Sequence, residues 1–217
     1  MPGSTYRKAA DLPEHIPVFP LPGAMLFPRW QLPLNIFEPR YLNMIDDALA
    51  SDRLIGMVQS FGGDRQKPDL ATVGCVGKIS SFSETDDARY LITLTGICRF
   101  AIDQELNVRT PYRKVRADFD PFESDLTEPD VNDEIKLKQR LRVVLKPYAQ
   151  AHNIEADWDA MATAPIETVT NALAAGCPFS NVEKQAMLEA DGINGRFETL
   201  LTLLQMNVSD DDESPLQ

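Results

Sequence analysis

The 217-residue sequence predicts an α+β protein, a β-rich half followed by a helical half, on three observations. Short apolar or β-branched runs bounded by Gly, Pro, Asp or Ser fill the chain up to about residue 120. After Pro129 the apolar spacing changes to the helical period. Charge and proline divide the same way: residues 1–120 hold 14 basic and 15 acidic side chains, residues 121–217 hold 7 and 18, and eight of the 16 prolines lie within the first 40 positions.

In chain order, residues 1–14 read as a flexible N-terminus without the apolar stretch of a signal peptide, which argues against export. Ile16 to Gly23 is apolar but broken by prolines, which cannot donate to a sheet ladder, so it reads as an edge strand entering a turn at Pro22-Gly23. Further strands are expected at Leu32–Phe37, Leu54–Phe61, Thr72–Phe82, Tyr90–Leu94, Cys98–Ile102 and Val115–Phe119. Tyr90, Ile92 and Leu94 alternate with Leu91, Thr93 and Thr95, so both faces suit a strand within a barrel or sandwich. Glu38-Pro39-Arg40 opens a helix, with proline where its missing N–H costs little, and Tyr41, Ile45, Ala48 and Leu49 recur on one face. Gly62–Asp69 and Ser83–Arg89 read as loops, and the proline-containing acidic stretch 121–129 reads as a linker between a domain at 15–120 and a bundle at 130–207.

In the second half, Val131, Ile135, Leu137, Leu141, Val144, Leu145 and Tyr148 line one face of a helix ending near Ala151. Pro165–Ala175 forms another, with Ile166, Val169 and Leu173 inward and Gly176 as its stop. Ser180 and Glu183 have capping-box spacing ahead of a helix carrying Ala186, Met187 and Leu188. Ile193–Met206 places Phe197, Leu200, Leu201 and Leu204 on one face, and 208–217 reads as a disordered acidic tail.

Little of this carries chemistry. Gly77-Lys78 lacks the first glycine and the hydroxyl of a phosphate loop. His15 and His152 read as structural or surface residues, and no Gly-x-Ser-x-Gly elbow accompanies them. Cys75, Cys98 and Cys177 are an odd, widely spaced set, read as buried thiols and not as a disulfide or zinc framework. Glu155, Asp157 and Asp159, like Asp210 to Glu213, read as solvated acidic surface and not as a metal site. Arg109, Arg113, Lys114 and Arg116 form a basic cluster with Tyr112 as its aromatic neighbour, and the net charge of −12 argues against a nucleic-acid partner. No apolar run is long enough for a bilayer. The expectation is therefore no catalytic, cofactor or metal residue, no membrane, and a cytoplasmic protein.

Three ordered stretches carry a resemblance: Ile16-Pro17-Val18-Phe19-Pro20-Leu21, Met25-Leu26-Phe27-Pro28 and Leu32-Pro33-Leu34-Asn35-Ile36-Phe37-Glu38-Pro39-Arg40-Tyr41. They resemble the opening of the Lon protease N-terminal domain, its stand-alone bacterial version above all. Val73–Ile79, Leu94–Phe100 and Glu183–Glu189 extend the likeness over about residues 15–207. The resemblance implies a PUA-like pseudo-β-barrel followed by a helical bundle, and a non-catalytic module that binds protein substrates or unfolded polypeptide. It also implies that the ATPase and Ser-Lys peptidase regions lie beyond the end of this chain, so that a peptidase label would express kinship only. Phe19, Leu21, Phe27, Leu34, Ile36 and Tyr41 are expected in the core, Gly74, Gly77 and Gly96 at bends or close approaches, and Glu38 and Arg40 paired with neighbours. The binding residues and the oligomeric state stay open. Two alternatives stand beside this reading: RNA binding by the PUA-like half, and a small-molecule or hydrolytic site between the halves.

Overall fold

The computed structural model describes residues 6–63, 67–131 and 133–212, with side chains through Val208. The chain forms two compact units, Met1–Glu128 and Pro129–Gln217.

In the first unit six strands, β1 (His15–Pro20), β2 (Gln31–Ile36), β3 (Leu54–Phe61), β4 (Asp69–Glu84), β5 (Tyr90–Glu105) and β6 (Arg113–Asp118), form one sheet that closes on itself. β1 pairs in parallel with β3 and antiparallel with β6, and β3, β4, β5 and β6 follow one another antiparallel, completing a five-stranded ring. The two long strands make closure possible. β5 pairs with β2 through Tyr90–Thr95 and with β6 through Ala101–Glu105, serving two neighbours along one side. The runs Tyr90–Leu94 and Cys98–Ile102 are thus one strand. Ile92 and Leu94 are buried while Leu91 on the opposite face is exposed, so this stretch has one core face and not two.

Gly96 does not interrupt β5. A Cβ there would stand 2.0 Å from the Phe27 carbonyl oxygen, so glycine is what lets the Met25–Pro28 loop lie against the strand. Gly74 leaves room for the ring of Phe100, which would meet a Cβ at 2.7 Å. Around Phe100 pack Ile16, Val18, Val58, Val76, Val115 and Phe119.

β1 has neighbours on both sides, so it is not the edge strand its prolines suggested. Ala117 N–H donates to Glu14 O, and antiparallel alternation then puts Pro17 at a non-hydrogen-bonded position toward β6. Pairing with β3 begins at Val18, and pairing with β6 ends there, before Pro20. Each proline stands where a neighbour asks for no donor.

α1 (Pro39–Leu49) starts with proline in its first turn and buries Tyr41, Met44, Ile45 and Ala48. Tyr90 and Tyr112 donate hydroxyl hydrogen bonds to Asp46 Oδ1 (3.1 Å) and Asp47 Oδ2 (2.6 Å), tying the helix to the barrel.

Two expected boundaries need correction. Residues 121–129 are not a free linker: a 3-10 segment, Asp120–Leu126, packs on β5. There the buried Asp125 accepts from Arg99 N (3.0 Å), Nε (2.7 Å) and Nη2 (2.9 Å). Nor is all of 1–14 free, since Ala9 and Leu12 are buried in the barrel core, while residues 1–5 lie outside the described residues.

The second unit holds α2 (Glu134–Ala151), α3 (Trp158–Thr163), α4 (Ile166–Gly176), α5 (Asn181–Glu189) and α6 (Gly192–Asp212). α6 is the central helix, burying Phe197, Leu200, Leu201 and Leu204 against α2, α4 and α5. Ser180 and Glu183 form the expected capping box. α2 faces differently from expectation at its start, with Ile135 73% exposed; Leu141, Leu145 and Tyr148 carry its buried side. Leu173 on α4 is half-buried and Ala186 on α5 is exposed. The backbone of 208–212 is helical as the end of α6, which corrects the expected tail, and 213–217 lie outside the described residues.

Candidate functional site

The proline-rich opening and the stretch from Leu34 to Tyr41 meet on the barrel surface. Phe19, Leu21, Leu34, Phe37, Tyr41 and Phe61 line a groove of about 560 Å³ between the end of β1, the end of β2 and the start of α1. The expected core set therefore divides. Phe19, Phe27, Ile36 and Tyr41 are buried, whereas Leu21 and Leu34 are half-buried walls of the groove. Phe37 follows the buried Ile36 and, by strand alternation, turns outward, 61% exposed. The Arg89 guanidinium lies 5.8 Å from its ring centroid.

The floor is stiff. Tyr41 and Phe19 pack with ring centroids 4.3 Å apart, and burial pushes the Tyr41 hydroxyl above its ordinary range. Arg40 sits 4.5 Å over the Tyr41 ring and donates from Nε to Glu38 Oε2 at 3.0 Å, so the expected partners of Glu38 and Arg40 include each other. Gln59, buried within the apolar strand β3, accepts from Gly23 N at 2.8 Å and thereby holds the Pro22-Gly23 turn at the rim.

Beyond Pro20 and Tyr41 a second hollow of about 390 Å³ continues the groove toward Leu106, Val108 and Tyr112. Arg113 reaches into both hollows and is held by Glu105 (Nε to Oε1 2.9 Å, Nη2 to Oε2 2.7 Å) and by Pro68 O (2.6 Å). That hydrogen bonding holds the Glu105 carboxyl below its usual range. Burial, then Asp47, pushes the Tyr112 hydroxyl up.

The groove borders the free edge of β2. Gly96 N–H donates to Trp30 O, so even-numbered positions of β2 face β5, and Gln31, Pro33 and Asn35 direct their backbone outward. Pro33 has no N–H to offer at the middle of that edge. An incoming strand would meet a broken ladder there.

The basic cluster does not converge. Alternation along β6 puts Lys114 and Arg116 on the face opposite Arg113, and Arg116 is paired with Asp103. His15 is exposed at the start of β1, and His152 packs on Tyr148, centroids 4.3 Å apart. All three cysteines are buried. Burial raises the thiols of Cys98 and Cys177, the latter to about 11. Asp157 caps α3 by accepting from Ala160 N at 2.9 Å. Among the described residues no three His, Cys, Asp or Glu side chains are placed to hold a metal ion, and the side chains of Asp210 to Glu213 lie outside them. No described helix is long and apolar enough to cross a membrane.

Two features escaped the sequence reading. The Arg99–Asp125 pair had no signal beyond an arginine in an apolar strand. Gln59, a polar residue amid Leu54–Phe61, was a readable one.

A closed barrel with an apolar surface groove precedes a helical unit, and the comparisons with known proteins place this class of domain in one family. The profile described as the ATP-dependent protease La (LON) substrate-binding domain matches residues 15–206. The chain belongs to that family. It is 29% identical over 206 residues to Lon protease 2 of Myxococcus xanthus, covering 89% of this chain and 24% of that protein. It is 28% identical over 206 residues to the Lon protease of Anaeromyxobacter dehalogenans, covering 89% and 23%. The chain thus spans about a quarter of the length of these curated relatives. Among solved structures, the Lon N-terminal domain protein from Xanthomonas campestris superposes with a TM-score of 0.60 at 22% identity, over 87% of this chain and 97% of that one. The N-terminal domain of the Mycobacterium avium complex Lon protease gives 0.62 at 17%, over 88% and 97%. The fold is the Lon N-terminal fold, α+β as expected.

Proposed function

We propose that this chain is a non-catalytic, cytoplasmic binding module that captures extended apolar segments of non-native polypeptide in the groove between β1, β2 and α1. The observation that carries the reading is Phe37. A phenylalanine 61% exposed beside half-buried Leu21 and Leu34 presents apolar surface at the groove, in a chain of a substrate-binding family. Pro33 restricts backbone pairing, so recognition runs through side chains and selects apolar ones. RNA along β6 has less support, because Arg113 and Arg116 are already engaged by Glu105 and Asp103.

The test is fluorescence anisotropy with a reduced, alkylated and labelled protein that cannot refold. Wild type should bind saturably and leave the label on an intact chain. Phe37→Asp, at an exposed site, should weaken binding at least about tenfold, as loss of a hot-spot aromatic does. Unchanged affinity in the variant, or cleavage of the labelled chain by the purified protein, overturns the reading.

A further inference from the structure

The helical unit contains hollow space that the groove does not use. Leu145 of α2, Met161 of α3, Val169 and Leu173 of α4 and the intervening Ile154 line an open hollow of about 570 Å³. A second cavity of about 400 Å³ lies on the other side of α3 and shares Met161 and Val169 with the first. Such volumes fall within the range of small-molecule sites. α3 buries none of its six residues. It is held through its Asp157 cap and a hydrogen bond from Lys138 Nζ to Ala162 O (2.9 Å), so an occupant can shift it without breaking packed core.

The polar groups at the larger cavity say which occupant. Glu155 and Asp157 stand exposed at its rim, Asp157 also capping α3; neither forms an ion pair among the described residues, and no Lys or Arg is in its wall. His152 also lines it, half-buried, with its Nε2 turned away from the open space. An apolar body covers Leu145, Met161 and Leu173, and a cationic head is drawn to the carboxylates at the rim. A fatty carboxylate would instead bring a like charge to Glu155 and Asp157.

We infer that the helical unit carries a binding site for a small cationic amphiphile, an alkyl or aryl amine, walled by α2, α3 and α4. The site is separate from the barrel groove and independent of its function.

Titration of the full chain with dodecylammonium, below its micelle concentration, tests this by methyl NMR. The Met161 methyl should shift saturably, with affinity at least about tenfold tighter than for dodecanoate. Ala172→Trp, at an exposed position in the cavity wall, should abolish the shift with the circular dichroism spectrum retained. Thr168→Trp serves the same purpose should the first variant misfold. Glu155→Gln should reduce the preference for amine over carboxylate, and Phe37→Asp should leave amine binding unchanged. Equal or tighter dodecanoate binding, shifts that never saturate, wild-type binding by both tryptophan variants, or loss of binding in Phe37→Asp each overturns the assignment.

Discussion

The two units hold themselves together in different ways. In the barrel, every strand of the ring is hydrogen-bonded on both sides, and order comes from closure between residues far apart in sequence. In the helical unit, hydrogen bonding is local and order comes from side chains gathered on α6, with cavities left around the loosely seated α3. A closed ladder tolerates a surface groove because its backbone is already fully engaged. In the bundle the hollow space lies beside α3, none of whose six residues is buried.

Substitutions can break that contrast, the largest effect first. Asp125→Ala leaves Arg99 buried at 2% exposure without its carboxylate. It should cost about 3–5 kcal/mol, and hydrogen exchange should quicken in β4–β6 rather than in the helices. Leu200→Ala, at a fully buried position of α6, should cost about 2–5 kcal/mol by cavity formation, with exchange quickening in α2, α4 and α6 instead. Uniform quickening in both variants would erase the distinction. Ser180→Ala removes the cap of α5 and should cost ~1 kcal/mol in chemical denaturation.

The smallest effect is a pH dependence. Arg113 lowers the Glu105 carboxyl below its ordinary value of 4.5. The resulting stability is therefore present above about 4.5 and is lost as pH falls through the lower folded value. Glu105→Gln should flatten that limb of an acid-denaturation curve by less than about 1 kcal/mol, since the pair is partly exposed.

The sequence made the order of elements legible because hydrophobic period is a local property. Closure was not legible from period: it depends on β5 being long enough to serve both β2 and β6, running on through Gly96, whose expected close approach is to the Phe27 carbonyl. Asp125 sits in acidic, proline-containing sequence of the kind that is normally solvated, and only its partner on β5 makes it core. α3 was missed because six residues give less than two turns of periodicity, though Asp157 ahead of Ala160 was a usable cap signal. The groove was half legible. The motif stretches supply much of its lining, and alternation from Ile36 was enough to turn Phe37 outward, but that Leu21 and Leu34 are only half-buried depends on where the β1 and β2 ends meet.

Pro33 has a consequence that reaches past one molecule. A surface that gathers loose, apolar chains beside an open strand edge has the ingredients of a fibre seed: high local concentration of sticky segments and a template to align them. With no donor at the centre of that edge, the template fails at its second outward-facing residue. Under the proposed function, chains held in the groove would not be knitted through that edge into a growing cross-strand stack.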